Sequence, residues 1–218
     1  MEELWASCIF GYVVAYPALS MLLRLAAPQF AELPTEKRRY VVSNLLKGTV
    51  LATITWFMRH TVLNMVLSQP WNAESLRSLV PVYCGLDLVS LALVPKMMVS
   101  TRVHHILVVG CGGYLSLLPT IQPNSLASCI CVYAACSSTA YAVNGLLALR
   151  HLVRDTDWRM RAAARVSAAI YAGGCAFNWM YQIHTIAQTP TQLWPMVPIT
   201  LGFIYDDIIL LRWLMRYK

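Results

Sequence analysis

Val82-Tyr83-Cys84-Gly85-Leu86-Asp87 and, further on, Val103-His104-His105-Ile106 are the two ends of the stretch that decides how this chain is read. Each end sits in an apolar run, 80–98 and 103–119, and the two runs are separated by a short turn that carries Arg102, with Pro95 and Lys96 near the end of the first run. An aspartate and two adjacent histidines placed in such runs are costly in lipid. The physical default for ionisable groups inside a span is a functional site.

Outward from this stretch the whole chain has the same character. It is 58% hydrophobic and 12% charged, against roughly 45–50% and about 25% in an ordinary soluble domain. A spanning helix needs about 20 mostly apolar residues. Seven candidate spans can be laid out, at 4–23, 41–67, 80–98, 103–119, 125–149, 165–187 and 194–214. The turn-rich joins between them include Pro70-Trp71-Asn72 and Gln122-Pro123-Asn124-Ser125. The fold expected is all-α, a single-domain polytopic bundle of seven transmembrane helices over residues 1–218. Met-Glu-Glu at the N-terminus lacks the basic start of a secretory signal, so 4–23 reads as a retained span.

The net charge of +7 points to a membrane surface and not to nucleic acid, because the basic residues lie in loops between apolar runs. Arg24, Lys37, Arg38, Arg39, Lys96, Arg102, Arg150, Arg154, Arg159, Arg161, Arg165, Arg212, Arg216 and Lys218 all fall on one set of connections. Only Arg59 and Arg77 fall on the other, and Lys47 lies within a span. The positive-inside rule then places the C-terminus in the cytosol and the N-terminus in the lumen or outside. Trp71 and Trp194 mark the outer aromatic belt, Trp158 and Trp213 the inner one. The seven cysteines show no zinc spacing and read as small buried side chains.

Depth follows from the rise per residue. Lys47 comes about 10 Å below the cytosolic face and Asp87 about 15 Å from it. His104 and His105 lie just inside the start of the fourth span, Asn144 near the inner end of the fifth, and Asp206 and Asp207 near the inner end of the seventh. Polar groups of five helices thus gather in the cytosolic half, where lysine and carboxylates offset one another. His104, His105 and Asp87 are the catalytic candidates, and Lys47, Asn144, Asp206 and Asp207 the lipid-site candidates. Neighbours on a helix point about 100° apart, so one histidine of the pair is expected to reach a given substrate atom while the other packs or orients. Only one of the two aspartates need face the interior, the other being able to pair with a loop arginine. Lys47 is equally able to snorkel outward along its stem. An imidazole can act as base or nucleophile, with a carboxylate fixing its tautomer. Vicinal histidines are poorly placed to share one metal ion, and no metal site is expected.

The Asp87-to-His104-His105 spacing, with Lys37-Arg38-Arg39 leading into Ser43 and with Ser137-Ser138-Thr139, Asn144 and Arg150 downstream, resembles the TLC-domain family. That family includes ceramide synthases and smaller lipid-associated proteins. The resemblance spans about residues 37–215 and is specific only at the Asp and His-His core. It implies a barrel of six helices around a lipid-holding tunnel, ending at the histidines, in the endoplasmic reticulum or another endomembrane. Lys47 stands where the family commonly has a histidine, Cys136 lies near the place of a frequent acidic residue, and the extended ceramide-synthase motif after His-His has no counterpart in Ile106–Tyr114. The closer resemblance is to the small lipid-regulating members. A lipid-binding or lipid-regulating protein is therefore one expectation. The alternative is a lipid acyltransferase with acyl-CoA as substrate and a histidine base or nucleophile. A receptor or retinal protein ranks lower, since the last span has no lysine. No cofactor is expected; the partners are membrane lipid and, in one reading, a second copy of the chain.

Overall fold

A computed structural model describes residues 2–67, 71–122, 124–153 and 158–216. Pro70, Pro123, Arg154 and Lys218, used above for turns and charge, lie outside the described residues. In chain order the helices are α1 (Glu2–Ala26), α2 (Pro28–Glu32), α3 (Thr35–Val66), α4 (Ala73–Arg77), α5 (Val80–Leu93), α6 (Val99–Leu117) and α7 (Leu126–Ser137). After a 3-10 turn at Ser138–Ala140 come α8 (Tyr141–Leu149), α9 (Trp158–Gln188), α10 (Pro190–Leu193) and α11 (Met196–Arg216). The described residues contain no strand.

Local chemistry sets these boundaries. Prolines at the first turn of α2, α5 and α10 occupy positions whose N–H needs no intrahelical partner. Asn72 caps α4 by accepting from the Glu74 N–H at 2.9 Å. Ser125 accepts from the Ser128 N–H while Ser128 Oγ accepts from the Ser125 N–H, a reciprocal cap at the start of α7. α5 stops at Leu93, five residues short of the apolar run 80–98. Pro95 explains this: it has no N–H to give and it drives Val94 out of helical geometry, to φ −107° and ψ 88°. The run 125–149 is likewise not one straight helix. Ser138 Oγ and Thr139 Oγ1 donate back to the carbonyls of Ala135 and Cys136, and the 3-10 turn falls there.

Packing closes six of these segments into a ring. α3 packs on α8, α8 on α9, α9 on α11, α11 on α6, α6 on α5, and α5 returns to α3. α7 continues the α8 side of the ring against α9 and α3, with α4 against α7. α1 lies outside, against α5 and α3. α3 and α8 approach closely, and a Cβ on Gly48 would stand 3.2 Å from the Gly145 nitrogen and the Tyr141 carbonyl. Of the adjacent Gly173 and Gly174, only Gly174 abuts a neighbour, at Cys136 and Thr139.

Among the described residues three stretches are long and apolar enough to cross a membrane: Glu2–Ala26, Thr35–Asn64 and Leu126–Leu149. α5, with 14 residues, is about 21 Å long, less than the roughly 30 Å hydrocarbon layer. Large apolar side chains such as Phe10, Trp56, Phe57, Ile106, Met180 and Leu201 are exposed, while Asp87, His105, Gln182 and Asp207 are buried. Apolar outside with polar inside suits an integral membrane protein.

Candidate functional site

The early end of α5 brings Asp87 to the level of α6. Six residues separate Asp87 from the last residue of α5, so it lies about 9 Å from that end and not 15 Å. Asp87 is fully buried and has two neighbours. Lys47 Nζ of α3 donates to its Oδ1 at 2.5 Å. His105 Nδ1 of α6 stands 3.3 Å from the same oxygen and 3.4 Å from the Asp87 carbonyl oxygen. Lys47 therefore does not snorkel; its ammonium is spent on a buried carboxylate.

His104 has a carboxylate of its own. Its Nδ1 lies 3.2 Å from Asp206 Oδ2 on α11. Its Nε2 is 3.5 Å from the Tyr133 hydroxyl of α7, and Tyr133 stacks on Phe203 with ring centroids 3.7 Å apart. The two imidazoles stand edge to face, with centroids 5.9 Å apart. Both histidines line the same chamber. The helical 100° offset is absorbed because the histidines meet different neighbours, His105 turning to α5 and His104 to α11.

For the aspartates the offset does separate them. Asp206 lines the chamber, whereas Asp207 turns away to α9, where it accepts from Tyr171 Oη at 2.6 Å and Trp179 Nε1 at 2.9 Å. Asn144 also lines the chamber and donates to the Ala140 carbonyl one turn earlier. Of the residues picked from sequence, the structure thus gathers Lys47, Asp87, His104, His105, Asn144 and Asp206, and leaves Asp207 in a separate buried tie between α9 and α11.

The chamber has a volume of about 130 Å³ and takes residues from α3, α5, α6, the α7–α8 segment, α9 and α11. Its far wall is Tyr83 and Tyr133. The same two tyrosines line an apolar pocket beyond, of about 30 Å³, closed by Met58, Leu76, Leu115 and Ile130. A single elongated, mostly apolar cavity sized for an acyl chain, as the resemblance implied, is not what the described residues enclose. The larger space is the polar one, below the roughly 300–1,000 Å³ of common ligand sites. Two tyrosine rings stand between it and the apolar pocket. A third cavity of about 220 Å³, lined by Lys37, Arg150 and the Lys96–Glu36 ion pair at 2.9 Å, shares Tyr40 and Val94 with the chamber. The Arg150 guanidinium lies over the rings of Tyr40 and Trp213, 5.7 and 5.0 Å from their centroids.

Sequence reasoning missed Tyr40, Tyr83 and Tyr133 as site residues. The available signal was a tyrosine in an apolar run, whose hydroxyl needs a polar neighbour when buried. Chemically, each histidine has a carboxylate oxygen within 3.3 Å of Nδ1, and His104 Nε2 has the Tyr133 hydroxyl as its neighbour, so a proton could pass at either ring nitrogen. Among the described residues no three His, Cys, Asp or Glu side chains form a metal-binding group. Comparison with family models, with curated proteins and with solved structures finds no match to this chain.

Proposed function

We propose that this protein is a seven-span membrane protein that binds a membrane lipid inside its six-helix ring, with the lipid's polar group in the Lys47–His104–His105 chamber. One observation carries the reading: every helix of the ring contributes to a single polar chamber that shares Tyr83 and Tyr133 with an apolar pocket. A polar space continued by an apolar one is the shape of an amphiphile, and rotation of the two tyrosines would join them. In this reading α1 is a seventh span outside the ring. The basic loops face the cytosol, the N-terminus is lumenal or external, and the membrane is an endomembrane such as the endoplasmic reticulum. The Asp87 and His104-His105 arrangement supports placing the chain with the small lipid-regulating members of the TLC-domain family.

Lipid mass spectrometry of the purified protein tests this. Wild type should carry a co-purifying lipid, and Lys47→Met or Tyr133→Trp should reduce or change it. A wild-type protein free of any retained lipid after mild solubilisation would sink the reading.

A second reading is favoured by the carboxylates beside both Nδ1 atoms. In an acyltransferase, one Nε2 would take the proton of an attacking hydroxyl or amine as it adds to the thioester carbonyl of acyl-CoA. The coenzyme A thiol would leave with a proton as the ester or amide forms. Lys37 and Arg150 of the neighbouring cavity would receive the anionic part of that donor. Turnover of acyl-CoA by the reconstituted protein decides between the two.

A further inference from the structure

Outside the ring, α1 and the start of α3 enclose a cleft of about 210 Å³ that the site described above does not use. Its polar lining is Tyr16, Ser20, Arg24, Thr35, Arg38 and Arg39, and no carboxylate is among the lining residues. Tyr16 Oη of α1 donates to the Arg39 carbonyl of α3 at 2.9 Å, which ties the two helices at the cleft, and within α3 one Arg38 Nη donates to Thr35 Oγ1 at 3.1 Å. Among the described residues the ion pairs of lysine and arginine are Lys47–Asp87, Arg77–Glu74 and Lys96–Glu36. The three arginines of the cleft are in none of them. Three guanidiniums in one cleft repel each other, and no carboxylate among the described residues pairs with them to offset that repulsion.

The position of the cleft says which anion fits. It lies where α1 ends and α3 begins, and the N-terminal turn of α3 adds its own positive end. Along α1, Val13 and Met21 sit one helical turn either side of Pro17, a lining residue, and both are exposed. The apolar surface of a span therefore runs directly into a basic, hydroxyl-bearing cleft. Guanidiniums present paired donors matched to a phosphate, and basic pockets between membrane helices take lipid head groups.

We infer that this cleft binds the phosphate head group of an anionic membrane lipid, whose acyl chains lie against the exposed face of α1. The site is independent of the chamber in the ring and of whatever that chamber holds.

Native mass spectrometry and lipid titration in phosphatidylcholine nanodiscs with added phosphatidic acid test it. Replacing Arg24, Arg38 and Arg39 together by Gln should weaken phosphatidic acid binding about 100-fold, leaving phosphatidylcholine binding and helical circular dichroism unchanged. Removing equal charge elsewhere, by Gln at Arg161, Arg165 and Arg212, should leave phosphatidic acid binding near wild type. Equal losses in the two triple variants would mean bulk surface charge and overturn the site, as would wild-type affinity in the cleft variant. Inorganic phosphate should not displace the lipid; displacement would overturn the assignment to a lipid head group. Should the cleft variant fail to fold, Ser20→Trp, which fills the cleft and keeps its charge, should give the same loss, and retention of binding there would overturn the proposal.

Discussion

Lys47 Nζ of α3 stands 2.5 Å from Asp87 Oδ1 of α5, with the lysine side chain 12% exposed and the aspartate 0%. This pair joins two neighbouring helices of the ring, and each partner removes the other's reason to be elsewhere. A lone ammonium at that depth would snorkel, and a lone carboxylate would protonate.

Breaking the pair on one side is therefore costlier than removing it. Asp87→Asn or Lys47→Met should each destabilise the protein by about 3–5 kcal/mol, since a buried charge is left without its partner. The double variant Lys47→Met/Asp87→Asn should recover most of that loss. Thermal unfolding in detergent, arranged as a double-mutant cycle, measures it; additive losses would show that the two side chains do not act as a pair.

The two histidines answer to different carboxylates, and that separates their roles experimentally. Under the acyltransferase reading, His104→Ala with His105→Ala should lower turnover by about 10²–10⁴-fold. Asp206→Asn should act through His104 and Asp87→Asn through His105. A carboxylate substitution should therefore add little once its own histidine is gone. Undiminished turnover in the double histidine variant removes histidine from the mechanism. Absence of turnover in wild type, together with retained lipid, leaves the binding reading.

Gly112 of α6 faces Cys84 of α5 without room for a side chain. A Cβ there would stand 2.5 Å from Cys84 Sγ and 3.2 Å from Val80 Cγ1. Gly112→Ala should cost about 1–3 kcal/mol by overpacking, and Cys84→Ala in the same chain should relieve part of it. At Gly110 and Gly113 a Cβ would meet nothing within 4 Å, so alanine at either should be neutral or slightly stabilising. Equal effects at all three positions would contradict the α5–α6 packing.

Topology has a direct test. Tags at the two termini should be protected from protease on opposite sides of a sealed vesicle, with the C-terminal tag on the cytosolic face. Both tags on one face would contradict seven spans.

The polar layer was legible in the sequence because charges are rare in apolar runs. Lys47, Asp87, His104, His105 and Asp206 could each be picked by that scarcity, and the resemblance ordered them. The pairings were not legible. Adjacent side chains on a helix always diverge, but whether both find partners depends on which helices stand on either side. Thus His104 and His105 both reach the chamber, and Asp207 leaves it for Tyr171 and Trp179.

By itself, then, the sequence determined an all-helical, apolar chain, its approximate helix limits, and the set of ionisable groups that had to be buried together, because the cost of isolated charge in lipid acts residue by residue. Pro95 was also legible as a helix stop, and reading through it misplaced Asp87 by about four residues' rise, some 6 Å. Only the tertiary structure decided that Lys47 pairs with Asp87, that Tyr83 and Tyr133 divide a polar chamber from an apolar pocket, and that three arginines meet in one cleft beside α1. Those are relations between helices far apart in sequence, fixed by the order in which the helices pack around the ring, and no local pattern encodes that order.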